Sequence, residues 1–285
     1  MDVKTITLAS GATVPALGQG TWYLGDDPAK RAQEVSALRT GMGAGMRLID
    51  TAEMYGGGRS EKLVGEAIAT APREELFLVS KVLPENAGEK HIFQCCDATM
   101  KRMGVDYLDL YLLHWRGSVP LAETVRCLEQ LKELGKIKNW GVSNFDIGDM
   151  EELWRIPGGR NCQVNQVLYH MGSRGIEYSL LPWMREHQVA LMAYCPLAQG
   201  GSLRRGLLND PAVLTIAEKH HATPIQVLLA WCIRDGHTIA IPRTGHPDHT
   251  LENAGANALT LDEEDLARID RQYAPPTHKM YLDIQ

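Results

Sequence analysis

The chain has 285 residues, 44% of them hydrophobic and 22% charged, which is enough apolar material for a sizeable core and far from a disordered profile. Its net charge of −6 is carried without any block of lysine or arginine, so nucleic acid is excluded as a partner, because that needs a basic footprint. No apolar run is long enough to span a bilayer, and the N-terminal MDVKTITLAS lacks the apolar stretch of a signal peptide; the chain is read as cytoplasmic and monomeric, with no membrane partner.

In chain order, TITLAS and TVPAL flank Gly11 and predict a short hairpin. Eight short apolar segments follow: LGQGTW (17–22), RLIDTA (47–52), LFLVSKV (76–82), LDLYLLHW (108–115), IKNWGVSN (137–144), CQVNQVLY (162–169), VALMAYCPL (189–197) and HTIAIPRT (237–244). Between them lie segments of helical periodicity, among them EVSALRTGMGAG, SEKLVGEAIAT, ETVRCLEQLKELG, ELWRI, VLTIAEKHH, PIQVLLAWCI and EEDLARIDRQY. In the third of these, Val125, Leu128, Leu131 and Leu134 form one apolar stripe. Strands alternating with helices predict a parallel sheet covered on its outer face. Eight of them favour a closed (β/α)₈ TIM barrel over an open doubly wound sheet, and LGQGTWYLG lacks the GxGxxG that an open dinucleotide fold would place after its first strand. No composition break marks a linker, so residues 1–285 are read as a single barrel domain behind the N-terminal hairpin.

In such a barrel the active site forms where strands end, and these ends are polar. They carry Asp50, Ser80-Lys81, His114, Ser143-Asn144, Asn165-Gln166, Tyr194 and Pro242-Arg243-Thr244. Each has a bland alternative: His114 as a strand cap, Lys81 reaching for solvent, Asp50 capping the next helix. Convergence weighs against them, since charges brought to one space must pair. Asp50 is expected to hold Lys81, and Lys81 to lower the pKa of Tyr55, a phenol five residues after Asp50 in DTAEMYGGG. With His114 orienting a carbonyl oxygen, the group suits hydride addition with a general acid, and a nicotinamide cofactor is the natural hydride source. No serine occupies a GxSxG elbow and no metal-ligand spacing is present; His220 and His221 in KHHAT are read as surface residues. The six cysteines match neither a CxxC nor a zinc pattern and are read as reduced packing residues, with Cys195 facing the helices.

The segments LIDTAEMYG, FLVSKV, LDLYLLHW, GKIKNWGVSNF, NQVLYH, AYCPLAQG and AIPRT followed by LEN occur in one order across nearly the whole chain, and together the sequence resembles the aldo-keto reductase superfamily. The resemblance implies a (β/α)₈ barrel, a nicotinamide cofactor extended across its mouth, and reduction of aldehydes and ketones to alcohols. It also implies a catalytic tetrad of Asp50, Tyr55, Lys81 and His114. Carried over residue by residue, Ser143, Asn144 and Gln166 would bond the nicotinamide carboxamide and Tyr194 would stack on its ring. Pro196, Leu197, Gln199 and Gly200 would follow the pyrophosphate, with Gly20, Thr21, Trp22, Asp50 and Ile241 also near the cofactor. Arg243 and Thr244 match the pair that recognises the adenosine 2′-phosphate, and Glu252 and Asn253 the adenine end. One position departs: where the family often has arginine, this chain has His249. Arg243 still offers a phosphate fork, which favours NADPH, while His249 leaves NADH open as a weaker or dual cofactor.

Within the superfamily, QGTWYLG, LLHWRGS, ELWRIPGG and NQVLYHMGSRGIEYSLLPW resemble bacterial reductases of methylglyoxal and other small carbonyls. The brief loop after Trp115 and the tail APPTHKMYLDIQ predict an open, shallow site, walled by Trp22, Met54 and Trp115 beside Tyr55 and His114. A sugar or broad-range aldehyde dehydrogenase, and a cofactor-binding regulatory protein with little turnover, stand as the alternatives.

Overall fold

The structure, a computed structural model, describes residues 3–285. The chain opens with an antiparallel hairpin of β1 (Thr5–Thr7) and β2 (Thr13–Pro15), with Thr5 opposite Pro15; Gly11 turns it at φ +87°, a left-handed conformation that suits glycine.

Eight further strands follow: β3 (Gln19–Gly20), β4 (Leu48–Asp50), β5 (Phe77–Val82), β6 (Leu108–Leu113), β7 (Ile137–Ser143), β8 (Val164–Leu168), β9 (Ala190–Tyr194) and β10 (Thr238–Ala240). Each is parallel to the next in chain order. The ends meet: Leu17 pairs with Ala240 and Gly20 with Arg243, and Gly18 N–H donates to Ala240 O at 2.9 Å. The sheet thus closes into an eight-stranded barrel, and every predicted strand segment holds one of its staves. Strands β5 and β6 are buried at every position, the signature of staves packed on both faces.

Helices cover the outside. They are α1 (Arg31–Gly43), α2 (Arg59–Ile68), α3 (Ile92–Met103), α4 (Leu121–Glu133), α5 (Ile147–Arg155) and α6 (Leu180–Glu186). Three more, α7 (Gly201–Leu208), α8 (Pro211–Lys219) and α9 (Pro224–Cys232), sit between β9 and β10, and α10 (Pro247–Gly255) and α11 (Glu263–Gln272) follow β10. Local chemistry starts several of them. Asp146, Thr223 and Asp262 form capping boxes with Asp149, Gln226 and Asp265, while Pro211 and Pro224 occupy the first helical turn. The stripe on α4 is shorter than its spacing predicts. Val125, Leu128 and Leu131 are buried, but the helix ends at Glu133, so Leu134 falls past the stripe and is exposed. His220 also departs from its surface reading: its Nε2 lies 2.7 Å from Asp265 Oδ2, while His221 is exposed. Asp262 and Asp265 there also accept from Lys219 Nζ at 2.6 and 2.9 Å, so an ammonium holds that cluster together.

All six cysteines are free, and no helix among the described residues is long and apolar enough to cross a membrane.

Candidate active site

At the C-terminal mouth of the barrel lies a cavity of about 280 Å³, lined from β3 and β4 by Gly20, Thr21 and Asp50 and roofed by Trp22, Met54 and Trp115. Below it, Lys81 on β5 is fully buried beside Asp50 at the end of β4. Lysine ammonium has three N–H donors, and all three are used. One goes to Asp50 Oδ2 at 2.7 Å, one to Thr51 O at 2.9 Å and one to Tyr55 Oη at 3.2 Å. Since the phenol oxygen accepts from the lysine, its own proton stays free for a group in the cavity. The other carboxylate oxygen, Asp50 Oδ1, accepts from Gln166 Nε2 at 2.8 Å. Asp50 is therefore a ligand of Lys81 and Gln166 rather than a helix cap.

Tyr55 reaches this position through a tight loop. Gly56, Gly57 and Gly58 follow it at φ +58°, +61° and +85°, and a Cβ on Gly56 would meet Asp26 Oδ1 at 2.4 Å. Three successive left-handed residues, with no room for a Cβ at Gly56, favour glycine, and they turn the chain into α2 directly behind the phenol. The expectation that Lys81 lowers the Tyr55 pKa is not met. Burial first, and then the Asp50 carboxylate, push it well above the ordinary value. The ammonium charge is already balanced by Asp50, so desolvation of the phenolate prevails and Tyr55 is a protonated phenol. Burial likewise lowers the Lys81 pKa, opposed by Asp50.

His114, just past β6, meets the edge of Tyr55 with ring centroids 5.7 Å apart. Burial, assisted by the charge on Lys81, holds its pKa down to about 3, so the ring is neutral. Its Nδ1 is buried with no hydrogen-bond partner among the described residues. A neutral imidazole here is a hydrogen-bond donor and not a charge.

Beside His114, just past the end of the neighbouring strand β7, Asn144 adopts φ +58°, a region that asparagine tolerates better than most residues. It donates to His114 O at 3.2 Å and accepts from Tyr194 Oη at 2.9 Å. Ser143 Oγ donates to Gln166 O at 2.8 Å, tying β7 to β8. Tyr194, Pro196, Leu197 and Gln199 line the cavity after β9, and Ile241 lines it after β10. Arg243 stands at the rim, exposed, with Nε donating to Trp22 O at 2.9 Å; it has no acidic partner among the described residues. Gly20 belongs to the closure of the barrel, since a Cβ there would meet Ile241 O at 2.9 Å.

Not every expected residue lines this space. Gly200 precedes α7 beyond the lining, and Thr244, His249, Glu252 and Asn253 lie past Arg243 on the outer surface and α10. His249 is exposed and its ring lies tilted against that of His246, with centroids 5.1 Å apart, while Asn253 is buried.

Cys195 corrects its reading. It does not face the helices but sits at φ +51° in the cavity wall, where Sγ donates to Gln285 Oε1 at 2.9 Å and burial pushes its thiol up to about 11. The positive φ rotates this residue off the strand alternation that had placed it outward. The tail also qualifies the open site. Lys279 pairs with Asp146 at 2.6 Å, Ser173 bonds Asp283, and Gln285 joins the lining. Sequence reasoning missed Tyr23, Ala198, Arg204 and Gln285 in that lining. For Arg204 a faint signal existed in the basic GSLRRG after CPLAQG; for Gln285, remote in sequence, there was none.

Comparison with known proteins agrees with this geometry. The model of the aldo/keto reductase family matches residues 16–274. Methylglyoxal reductase YeaE of Escherichia coli (strain K12) is 51% identical over 284 residues, covering 100% of both chains. Methylglyoxal reductase DkgB of Salmonella typhi is 32% identical over 258 residues, 89% of this chain and 91% of that protein. The crystal structure of an aldo-keto reductase from Klebsiella pneumoniae in complex with NADPH superimposes with a TM-score of 0.96 at 49% identity, covering 100% of each chain. With a closed (β/α)₈ barrel, an acid, a lysine, a phenol and an imidazole converging at its mouth, and likeness of this extent along its length, the chain belongs to the aldo/keto reductase family.

Proposed function

We propose that this protein reduces small aldehydes and ketones, methylglyoxal among them, to alcohols with NADPH, and that Asp50, Tyr55, Lys81 and His114 carry the chemistry. The observation that carries the reading is the full use of the Lys81 donors, which leaves the Tyr55 proton directed to the cavity. Likeness to methylglyoxal reductases and to an NADPH-bound reductase supports the substrate class and the cofactor.

The cavity suits such a cofactor: an aromatic wall at Tyr194, amides at Asn144 and Gln166, and two arginines, Arg204 and Arg243, with no acidic partner among the described residues. Gly20, Thr21, Trp22, Ser143, Pro196, Leu197, Gln199, Gly200 and Ile241 would hold its inner length. Arg243, Thr244, His249, Glu252 and Asn253 would hold its adenosine end. When bound, the reduced nicotinamide supplies a hydride to the carbonyl carbon. Neutral His114 donates a hydrogen bond that orients the carbonyl oxygen. As negative charge grows on that oxygen, Tyr55 delivers its proton there. The phenolate left behind is stabilised by Lys81, 3.2 Å from its oxygen and 4.8 Å from its ring centroid, and is reprotonated from solvent. Asp50 keeps Lys81 charged and fixed. Trp22, Met54 and Trp115 shield the reacting carbon from bulk water and give an apolar wall with few specific contacts, which suits small and varied carbonyls.

The same reading has residues 1–285 working as one barrel domain, as a monomer in the cytoplasm, without nucleic-acid partners. The eight strands drawn from the length of the chain and the net charge of −6 support it. Oxidation of NADPH is measured with methylglyoxal, glyceraldehyde and a nitrobenzaldehyde, with NADH in parallel. Turnover on the small carbonyls with NADPH is expected; tight NADPH binding with no turnover on any of them overturns the enzymatic reading.

A further inference from the structure

Behind the cavity wall, His170 follows β8 with no exposed surface. Its Nδ1 accepts from the Gly172 backbone N–H at 3.1 Å, so in the neutral ring the proton resides on Nε2. Burial lowers its pKa, which keeps the ring neutral. Nε2 in turn lies 3.1 Å from Gln199 Oε1, and Gln199 lines the cavity in the loop between β9 and α7.

A primary amide places its oxygen and its NH₂ on opposite edges. With the oxygen held by His170, the two N–H donors face the other way. The opposite tautomer would hold the NH₂ and turn the oxygen outward, against any anion, and the Gly172 N–H excludes it. The chain around Gln199 is itself set by Ala198 at φ +63° and Gly200 at φ +112°, and Arg204 lines the cavity five residues on. We infer that His170 is a positioning residue that selects the orientation of the Gln199 amide, so that its N–H donors meet a phosphate oxygen of the dinucleotide. This rests on the reading of the 196–200 loop as a cofactor contact.

Two substitutions separate the edges of the imidazole. In His170→Gln the amide nitrogen takes the place of Nε2 and still donates to Gln199. In His170→Asn the amide oxygen takes the place of Nδ1, serves Gly172, and leaves Gln199 unheld. NADPH dissociation constants are read by fluorescence titration, beside kcat, KM and the thermal midpoint of the cofactor-free protein. His170→Asn is expected to weaken NADPH binding about tenfold, the loss of one well-aimed bond to a charged group, with kcat at saturating cofactor within about twofold. His170→Gln is expected to restore affinity to within about threefold. Wild-type affinity in His170→Asn, or equal weakening in both variants in step with a lowered midpoint, overturns the inference.

Exposed Gln199 gives a second test that does not depend on the buried site. Gln199→Glu keeps an acceptor for His170 but turns a carboxylate oxygen outward, and is expected to bind NADPH about tenfold more weakly than Gln199→Ala. Equal affinities of these two variants overturn the orienting role. Unchanged affinity in Gln199→Ala overturns the cofactor contact on which it rests.

Discussion

The two ends of the cavity are built on opposite principles. At the inner end, Asp50, Lys81, Tyr55 and His114 are all buried, project from the ends of β4, β5 and β6 or the loop just beyond, and are mostly held by each other and by backbone. At the outer end, Arg243 is exposed and has a single bond, to a backbone carbonyl, and His249, on α10 beyond the lining, is exposed as well. The charged groups of the inner end are taken out of water and paired, because an unpaired buried charge costs several kcal/mol, whereas neutral His114 keeps its Nδ1 without a partner among the described residues. Arg243, which we propose grips an anion, is left in water with donors unspent, so that it would meet its partner only when the ligand arrives. Damage at the inner end should therefore appear in kcat, and damage at the outer end in cofactor affinity.

The sharpest break of this contrast is Tyr55→Phe, which removes one oxygen and little volume. Its kcat is expected to fall about 10³-fold with NADPH affinity within a few-fold of wild type, read by steady-state kinetics and fluorescence titration. Full activity in this variant would falsify the assignment of the general acid. At the outer end, Arg243→Gln is expected to weaken NADPH about tenfold or more while leaving NADH and kcat nearly unchanged, as for loss of a charged fork. An equal loss for both cofactors would move Arg243 from the 2′-phosphate to the common part of the dinucleotide.

The inner end also predicts a pH signature. His114 has a folded pKa of about 3 against an ordinary 6.5, so between these values the unfolded chain binds a proton that the folded protein refuses. Its contribution to stability is intact above pH 6.5 and is lost as pH falls towards 3, with a slope of about 1.4 kcal/mol per pH unit. In His114→Asn, denaturant unfolding followed across this window is expected to lose one proton's worth of that slope; an unchanged slope means that His114 is not the group held neutral. The smallest expected effect lies at the rim. His249→Arg restores a cation beside the proposed phosphate site, and the NADPH to NADH ratio of kcat/KM should rise a few-fold, the value of an exposed charge pair. No change would place the 2′-phosphate away from α10.

Much of the inner end was legible in the chain. Asp50, Lys81 and His114 stand within one residue of strand ends, and strand ends are where a barrel gathers its polar groups. Tyr55 was legible only as a phenol near an acid; the family likeness made it the expected proton donor, and the three glycines gave the turn. The pKa direction of Tyr55 was not legible, since it depends on how completely Asp50 cancels Lys81 and how little water remains. Helices such as α7, GSLRRGLL with two glycines, and α6, LLPWMRE with an internal proline, carry weak local signals; α6 buries Leu180, Leu181 and Met184 against the barrel, while α7 buries only Leu207.

By itself the sequence determined the architecture: eight apolar segments at βα spacing, with capping residues before several of the helices between them, permit few folds other than a parallel barrel. It also indicated most of the side chains that gather at the mouth, because strand ends are local features, but not Tyr23, Cys195, Ala198, Arg204 or Gln285. Only the tertiary structure decided what those side chains do to one another. That Lys81 spends its third donor on Tyr55, that Cys195 turns inward on a left-handed backbone, that Gln285 returns to the mouth and that His170 holds Gln199 all join residues far apart in the chain or hinge on a single dihedral angle. Hydrogen-bond direction and burial exist only once the barrel has closed, and these decide the protonation states on which the chemistry rests.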